Sequence, residues 1–454
     1  MNDSGLPWEK IRRKALNRLY PEERDLKELE EAYTEIEEFI ESKGLEAFFA
    51  GSAGRGTCMK GDRDIDVFIM FPESVERQEL EKRGLQIGRE VFDEFNGEYE
   101  VEYAEHPYTK GEIGLHEVEV VPCYDTDPEN IRSAVDRSPH HAKWVDGRLS
   151  QSQREDVVLL KAFLRASGIY GSSLKTRGFS GYLCELLIYE AGSLRKLLEE
   201  AEDWRKNKVI DPADHHPEGL SGELEKKFSE SALVVIDPVD PERNVASVLT
   251  EENYAEFVFK AWKFNSMPGL NFFQKEDIVP DKFLLKKEVR ARADFLVLEF
   301  DKPDRPDDIL YPQMRKVQKR MLSVLEDHGF RVYESGFHVG ESVRMFFELD
   351  EQLPDIGYQK GPRIFHGTEH LEQFTEKYEN TFIQGDRIVA KTEREYSNAR
   401  NLLKDFLEGQ PEELEEKGIP GNVAEKIQAY RLVDVLQEDE EWLKFLFKKL
   451  KLVQ

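Results

Sequence analysis

Asp64 and Asp66 stand one residue apart in Asp64-Ile65-Asp66-Val67-Phe68, a short way downstream of the small-residue run Gly51-Ser52-Ala53-Gly54-Arg55-Gly56-Thr57. On an extended strand, carboxylates at i and i+2 project from one face while Ile65 and Val67 enter the other. Magnesium is commonly held by one or two such carboxylates together with substrate phosphates. The glycines of the upstream turn permit close backbone approach, Ser52 offers a hydroxyl and an N–H, and Arg55 offers a guanidinium fork for phosphate oxygens. The pair alone says little, because a chain with 92 Asp and Glu in 454 residues has many acid-x-acid triplets by chance. Turn and pair together point to nucleotidyl transfer.

A third carboxylate should come from a neighbouring strand. In Leu115-His116-Glu117-Val118-Glu119-Val120-Val121 both acids share a face. Glu119 directly precedes the apolar Val120-Val121-Pro122, where a buried acid needs a partner, so it is read as the ligand and Glu117 as solvent-facing. Two ions on Asp64, Asp66 and Glu119 would lower the pKa of an attacking hydroxyl and stabilise leaving pyrophosphate, with no protein base required.

The elements that must position these groups follow from periodicity. Leu26, Leu29, Tyr33, Ile36 and Ile40 predict a helix stopped at Gly44. Strands are expected at 45–50, 65–71, 99–108 and 115–121, with a helix marked by Leu80, Ile87, Val91 and Phe95 between them. Residues up to about 145 thus read as a small mixed sheet with helices packed on it. From Arg154 the pattern turns helical, with Val157, Leu160, Phe163 and Leu164 on one face, further helices at 182–189 and 194–204, and an exposed loop at 211–222. A strand at 294–300, a helix at 309–325 and a strand at 343–349 suggest an α+β module. On that helix Arg315, Lys316, Lys319 and Arg320 form a basic face, read as an ordinary solvated face or as the best candidate for a phosphate-backbone contact. A tail helix carries Lys444, Lys448, Lys449 and Lys451.

Composition bounds the reading. With 39% hydrophobic and 11% aromatic residues the chain is globular, and its length suggests several domains. No apolar run approaches the roughly 18 residues of a membrane helix. Met1-Asn2-Asp3-Ser4 opens no basic-then-apolar leader, so a cytoplasmic address is expected. Cys58, Cys123 and Cys184 form no CxxC pair and read as buried free thiols. The adjacent histidines of His140-His141 and His215-His216 should point apart, which disfavours a metal cluster on either pair. The net charge of −28 by itself argues against a nucleic-acid partner. Local basic patches bind phosphate regardless of the total, however, and an acidic surface can serve solubility in a salt-rich cytosol.

Five blocks narrow the class: Tyr103-Ala104-Glu105-His106-Pro107-Tyr108; Val120-Val121-Pro122-Cys123-Tyr124; Ser133-Ala134-Val135-Asp136-Arg137; the run from Gly178-Phe179-Ser180-Gly181 through Glu185-Leu186; and Asp237-Pro238-Val239-Asp240 with Arg243-Asn244-Val245-Ala246. With the Gly51-Ser52 turn and Asp64/Asp66, the chain resembles the archaeal-type (class I) CCA-adding enzymes, tRNA nucleotidyltransferases of the polymerase β superfamily, over nearly its whole length. The resemblance implies an α+β multidomain fold: a polymerase β-like head (1–145), a helical neck (146–265), an RNA-recognition-like α+β body with a tRNA-binding tail (266–395) and a C-terminal helical segment (396–454). It implies template-independent addition of CCA to the tRNA 3′ end from CTP and ATP, with two magnesium ions on Asp64, Asp66 and Glu119. Ser52, Arg55, His141, Lys161 and Tyr170 would hold the triphosphate, Ser138 would lie near the ribose and Arg243 near the edge of the base. It also implies contact with the tRNA elbow region, no membrane partner, and compatibility with a homodimer.

Read without the resemblance, Lys161 could be a snorkelling surface lysine, Tyr170 a core aromatic, His141 a structural histidine and Arg243 a salt-bridge partner of Asp240. Two positions depart from the family pattern. Glu119 stands where Asp is common, and its extra methylene requires a small displacement of strand or metal; Ser138 stands where Thr is frequent and keeps the hydroxyl. The rival readings are a poly(A) polymerase-like terminal nucleotidyltransferase and a catalytically silent RNA-binding protein on the same fold.

Overall fold

The computed structural model describes residues 7–103, 105–274 and 278–452; residues 1–4 and Ala104, both read above, lie outside them. The chain forms two compact units, Met1–Glu276 and Asp277–Gln454.

The first unit begins with α1 (Trp8–Leu19) and α2 (Glu23–Ser42). Glu22 and Asp25 cap α2 reciprocally, its residues Leu29, Tyr33, Ile36 and Ile40 are buried at helical spacing, and Gly44 takes φ +80° just beyond its end. Then come β1 (Glu46–Phe49), β2 (Asp64–Pro72), α3 (Arg77–Glu94), β3 (Glu98–Tyr103), β4 (Pro107–Ile113) and β5 (His116–Asp125), joined in one sheet of order β1-β2-β5-β4-β3. Only β2 and β5 pair in parallel; the other neighbours are antiparallel. The single strand expected at 99–108 is two: the chain breaks near Glu105-His106 and folds β4 back on β3.

Alternation on β2 settles which face does what. Ile65, Val67, Ile69 and Phe71 pack with Val118 and Val120 against α2 and α3. Phe68 and Met70 face the other way, packing with Val121, Cys123 and Ala142 of α4 (Arg137–Asp146). The acids of β2 lie on that second face, shared with α4, because side-chain direction repeats every two residues.

The remaining elements of this unit are α5 (Gln151–Ala166), α6 (Gly181–Ala191), α7 (Leu194–Ala201), β6 (Lys208–Ile210), α8 (Gly222–Lys227), β7 (Leu233–Val235) and α9 (Glu251–Ser266). Helices α5, α6, α7 and α9 bury Leu160, Phe163, Leu186, Leu198 and Phe257 in a common core that Ile11 and Ala15 of α1 also enter. Ser150 and Ser180 cap α5 and α6 by accepting from Gln153 and Leu183 N–H groups. All three cysteines are free and buried.

The second unit holds α10 (Lys282–Ala291), β8 (Asp294–Asp301), α11 (Asp307–Asp327), β9 (Val332–Val339), β10 (Ser342–Leu349), β11 (Ile356–Arg363), α12 (Glu369–Lys377), β12 (Thr381–Gln384), β13 (Arg387–Glu393), α13 (Ala399–Leu407), α14 (Pro411–Glu416), α15 (Gly421–Ile427), β14 (Arg431–Val433) and α16 (Glu440–Lys449). Its sheets are antiparallel, of order β14-β8-β10-β9 and β11-β13-β12. Residues from 396 onward share the body's core: Leu402, Leu403 and Leu414 pack with Leu296, Met314 and Phe347, and β14 extends the sheet at β8.

Candidate active site

Register brings the carboxylates together. Parallel pairing sets Asp66 opposite Glu119 and Asp64 opposite Glu117, while antiparallel pairing sets Lys110 opposite Glu119. All five side chains therefore share one face of the sheet. Lys110 Nζ donates to Glu119 at 2.7 Å and lies 2.6 Å from Glu117 Oε1. Glu117 is exposed; Glu119 is half-buried. The mutual cost of the acids is visible in their titration. Burial first, then Glu119 and Asp64, raise Asp66 to about 6, and burial, Asp62 and Glu117 raise Asp64.

The turn between β1 and β2 holds the same group. Ala50 N–H donates to Asp66 O, and Gly51 lies so close that an added Cβ would sit 2.1 Å from Asp66 Oδ2. Only glycine fits there. Thr57 N–H closes the turn on Ser52 O at 2.9 Å, leaving Ser52 half-buried. Asp64, Asp66 and Glu119 are hard oxygen donors on one face beside a backbone cradle, the donor type that suits a magnesium ion, although among the described residues no three His, Cys, Asp or Glu side chains are gathered closely enough to hold a metal.

Beside the turn, Glu185 of α6 is fully buried and gathers the cations. Arg55 Nε donates to Glu185 at 2.9 Å and its Nη1 to Ala50 O; Thr57 Oγ1 donates to Glu185 at 2.6 Å. Lys161, on α5, is 2% exposed and donates to Thr57 O at 2.8 Å. It is not a snorkelling surface lysine. Burial depresses Lys161, opposed by Glu185; burial would raise Glu185, but Arg55, Lys161 and Thr57 outweigh it and keep it ionised. Tyr170 is half-buried with its hydroxyl beside Gly181, near Lys161, and Arg165 lies over its ring.

A second buried carboxylate, Asp237, organises the remaining residues. His141 Nε2 lies 2.8 Å from Asp237 Oδ2, to which Arg243 Nη1 also donates at 2.7 Å. Tyr182, stacked on His141 with ring centroids 4.1 Å apart, and Val239 N–H both donate to Asp237 Oδ1. Arg243 thus pairs with Asp237, while Asp240 takes Arg137 at 3.0 Å. His215 and His216 do not point apart: their rings meet edge-on at 6.5 Å and both reach one loop, at the carbonyls of Pro238 and Pro241, fastening the segment that carries Arg243. Ser138 sits half-buried in the first turn of α4, one turn from His141. Arg55 links the clusters, since its charge lowers both Asp66 and His141. Glu185 and Asp237, quoted above only as members of family blocks, and Tyr182 and Lys110 carry this geometry with no site role read for them in the sequence; a carboxylate beside an otherwise apolar or aromatic run was the available sign for the first two.

The family described as "Nucleotidyltransferase domain" matches residues 23–141, "tRNA nucleotidyltransferase, second domain" matches 155–274, and "CCA-adding enzyme, C-terminal domain" matches 292–434. A CCA-adding enzyme of Methanocaldococcus jannaschii is 39% identical over 89% of this chain and 92% of its own. One of Archaeoglobus fulgidus is 38% identical over 88% and 89%. The chain belongs to the family of CCA-adding enzymes. It is a tRNA nucleotidyltransferase. A solved structure of the Cid1 poly(U) polymerase lies further off, at TM-score 0.48 and 14% identity over 59% of this chain and 98% of that one, and the assignment does not rest on it.

On α11, Lys316, Lys319 and Arg320 are exposed and Arg315 is half-buried; Arg320 Nε donates to Lys417 O. Among the described residues no helix is long and apolar enough to cross a membrane.

Proposed function

We propose that the chain adds C, C and A in turn to the 3′ end of tRNA from CTP and ATP, with no nucleic-acid template, in tRNA maturation and repair. The tRNA 3′-hydroxyl attacks the α-phosphorus of the nucleotide, a P–O bond forms, and the bond to the β-phosphate oxygen breaks to release pyrophosphate. The observation that supports this most is a carboxylate face aligned by β2–β5 pairing, in a chain that matches CCA-adding enzymes over about nine-tenths of its length.

Asp64, Asp66 and Glu119 are the residues to hold two magnesium ions, which when bound supply Lewis-acid activation of the hydroxyl and charge neutralisation on the phosphates. The chain's own residues do the rest. Ser52 and the turn N–H groups receive phosphate oxygens. Arg55 and Lys161, held by Glu185, and His141 and Tyr170 present positive charge and hydrogen-bond donors to the triphosphate. Ser138 offers its hydroxyl to the ribose. Arg243, oriented by Asp237, presents its remaining N–H groups to the base edge. In this reading residues 1–145 are the catalytic head, 146–265 the neck, 266–395 the body and tail, and 396–454 the C-terminal helical segment. Arg315, Lys316, Lys319 and Arg320 contact RNA phosphates toward the elbow region, in a cytoplasmic enzyme able to form a homodimer.

The deciding experiment incubates the purified protein with tRNA lacking one, two or three terminal residues and each single nucleotide. Addition that stops at CCA supports the proposal, long A tracts would favour a poly(A) polymerase-like activity, and no magnesium-dependent pyrophosphate release would favour a silent RNA-binding role. Asp66→Ala should abolish incorporation and leave the circular dichroism spectrum unchanged; turnover at the wild-type rate would remove Asp66 from the metal set.

A further inference from the structure

Helix α1 is the most basic element of an acidic chain. Its twelve residues carry Lys10, Arg12, Arg13, Lys14 and Arg18 against the single acid Glu9, in a protein of net charge −28. Helix α11, the basic face conspicuous in the sequence, carries four cations and four acids: Arg315, Lys316, Lys319 and Arg320 against Asp307, Asp308, Glu326 and Asp327. Of these two helices only α1 has a net positive charge.

The structure separates its cations by role. Arg12 turns inward, donating to Asp156 and Glu155 at 2.8 Å each, while Ile11 and Ala15 are buried and Trp8 meets Phe264 edge-on. These contacts fix the helix against α5 and α9. Lys10, Arg13 and Arg18 are exposed and have no acidic partner among the described residues. At i, i+3 and i+8 they spread over about 140° of the helix circumference and span about 12 Å along its axis, enough for two or three phosphates. An open groove of about 880 Å³ lies beside Lys10, Arg12 and Arg13, with Glu9, Glu22 and Glu155 also in its wall, while Arg18 stands outside it. The C-terminal end of α1 abuts the catalytic turn: Lys60 N–H donates to Leu19 O at 2.7 Å and Tyr20 OH reaches Gly56 O at 3.4 Å.

We infer that the outward face of α1 is a phosphate-backbone binding surface that holds the tRNA substrate on the catalytic unit. Charge complementarity selects the occupant. Exposed cations without partners on a rigid helix, surrounded by a repelling acidic protein, gain most from a polyanion whose counterions they release. This inference rests on the reading that the chain acts on tRNA.

The test compares the full-length wild type with Lys10→Gln/Arg13→Gln/Arg18→Gln in equilibrium binding to tRNA lacking CCA, at several KCl concentrations. The variant should bind about tenfold or more weakly at low salt, and its slope of log K against log[KCl] should be smaller by roughly 2–3, one per lost phosphate contact. The charge-conserving Lys10→Arg/Arg13→Lys/Arg18→Lys variant should keep the wild-type slope. Arg24→Gln/Lys27→Gln on α2, whose cations already pair with Asp25, Glu28 and Glu31, should do the same. Wild-type affinity and slope in the triple Gln variant would overturn the inference. So would unchanged tRNA binding with lost binding to polyglutamate, which would make the face a site for acidic protein. If the wild type neither binds nor extends tRNA, the substrate reading itself fails, and this inference fails with it.

Discussion

Lys110 decides the electrostatics of the carboxylate face. Burial opposes its charge, yet hydrogen bonds to Glu117 and Glu119 hold its pKa above the ordinary lysine value. The longer side chain at 119 makes this reach available, so the glutamate that departs from the common aspartate comes with a resident cation beside it. A bound divalent ion would compete with that ammonium for Glu119. Removing one unit charge a few ångströms from a divalent ion is worth about 2–8 kcal/mol between solvent-like and surface-like dielectric, before salt and water screening reduce it. Lys110→Met should therefore tighten Mn²⁺ binding to the nucleotide-free protein by roughly fivefold or more, read by the loss of free-ion paramagnetic resonance signal. Equal affinity in the two proteins would mean that Lys110 leaves the carboxylates at no cost. Asp237 makes a different prediction. Burial would raise it, but His141, Val239 N–H and Arg243 outweigh that and bring it down to about 2. An unfolded aspartate titrates near ~3.9, so the contribution to stability is complete above about pH 4 and is lost as pH falls from there through about 2. It amounts to about 2 kcal/mol. Asp237→Asn should lower the urea midpoint at pH 6, with the gap to wild type closing on acidification toward pH 3; a gap constant with pH would assign the loss to packing instead.

Helix α3 shows how an element can contradict its own propensities for the sake of packing. Gly84 and Gly88 sit mid-helix, where each costs about 1 kcal/mol against alanine. A Cβ on Gly84 would lie 2.5 Å from Pro122 Cβ, and one on Gly88 would lie 2.2 Å from Thr109 Oγ1. The glycines let α3 close onto β4 and β5, the strands that carry Lys110 and Glu119. Propensity says that Gly84→Ala stabilises; sterics against a proline ring that cannot rotate away say that it destabilises by about 1–3 kcal/mol. The second effect should win, as a lowered melting temperature, whereas Gly222→Ala, at the open first position of α8, should be neutral or mildly stabilising. A raised melting temperature for Gly84→Ala would refute the packing argument. This contrast also marks what the sequence could disclose. Strand β2 and helices α2, α3 and α5 were legible because their apolar residues repeat at periods of two or 3.6. The Gly51–Asp66 half-site was legible because it is local. The parallel pairing of β2 with β5 and the split of 99–108 into β3 and β4 were not, since register is set between strands and not within one. The anchoring roles of Glu185 and Asp237 were not legible because, Arg243 apart, their partners lie far along the chain: Arg55, Thr57 and Lys161 for one, His141 and Tyr182 for the other. The α1 stripe escaped because total charge concealed a local excess of the opposite sign.

At the scale of the molecule, the net charge of −28 sets folding and substrate binding against each other as salt changes. Several ion pairs among the described residues are exposed on both sides, such as Arg24–Glu28, Lys27–Glu31 and Lys206–Glu251, and pairs of this kind contribute little individually. The larger long-range term is self-repulsion among the excess acids. It is screened as the Debye length falls from about 10 Å at 0.1 M to about 3 Å at 1 M. Arg55–Glu185, buried on both sides, is sheltered from that screening, and Arg243–Asp237 is sheltered on its aspartate side. Salt should thus remove more repulsion than attraction, and the melting temperature of the free protein should rise from 0.1 to 1 M KCl. Over the same range, tRNA affinity should fall, because each phosphate contact returns a counterion to a more concentrated bath. Thermal unfolding and tRNA binding in one KCl series give both trends. A melting temperature that falls with KCl would mean that surface ion pairs act as a stabilising network outweighing the excess charge. The acidic surface would then stabilise the fold through its pairs instead of burdening it with repulsion.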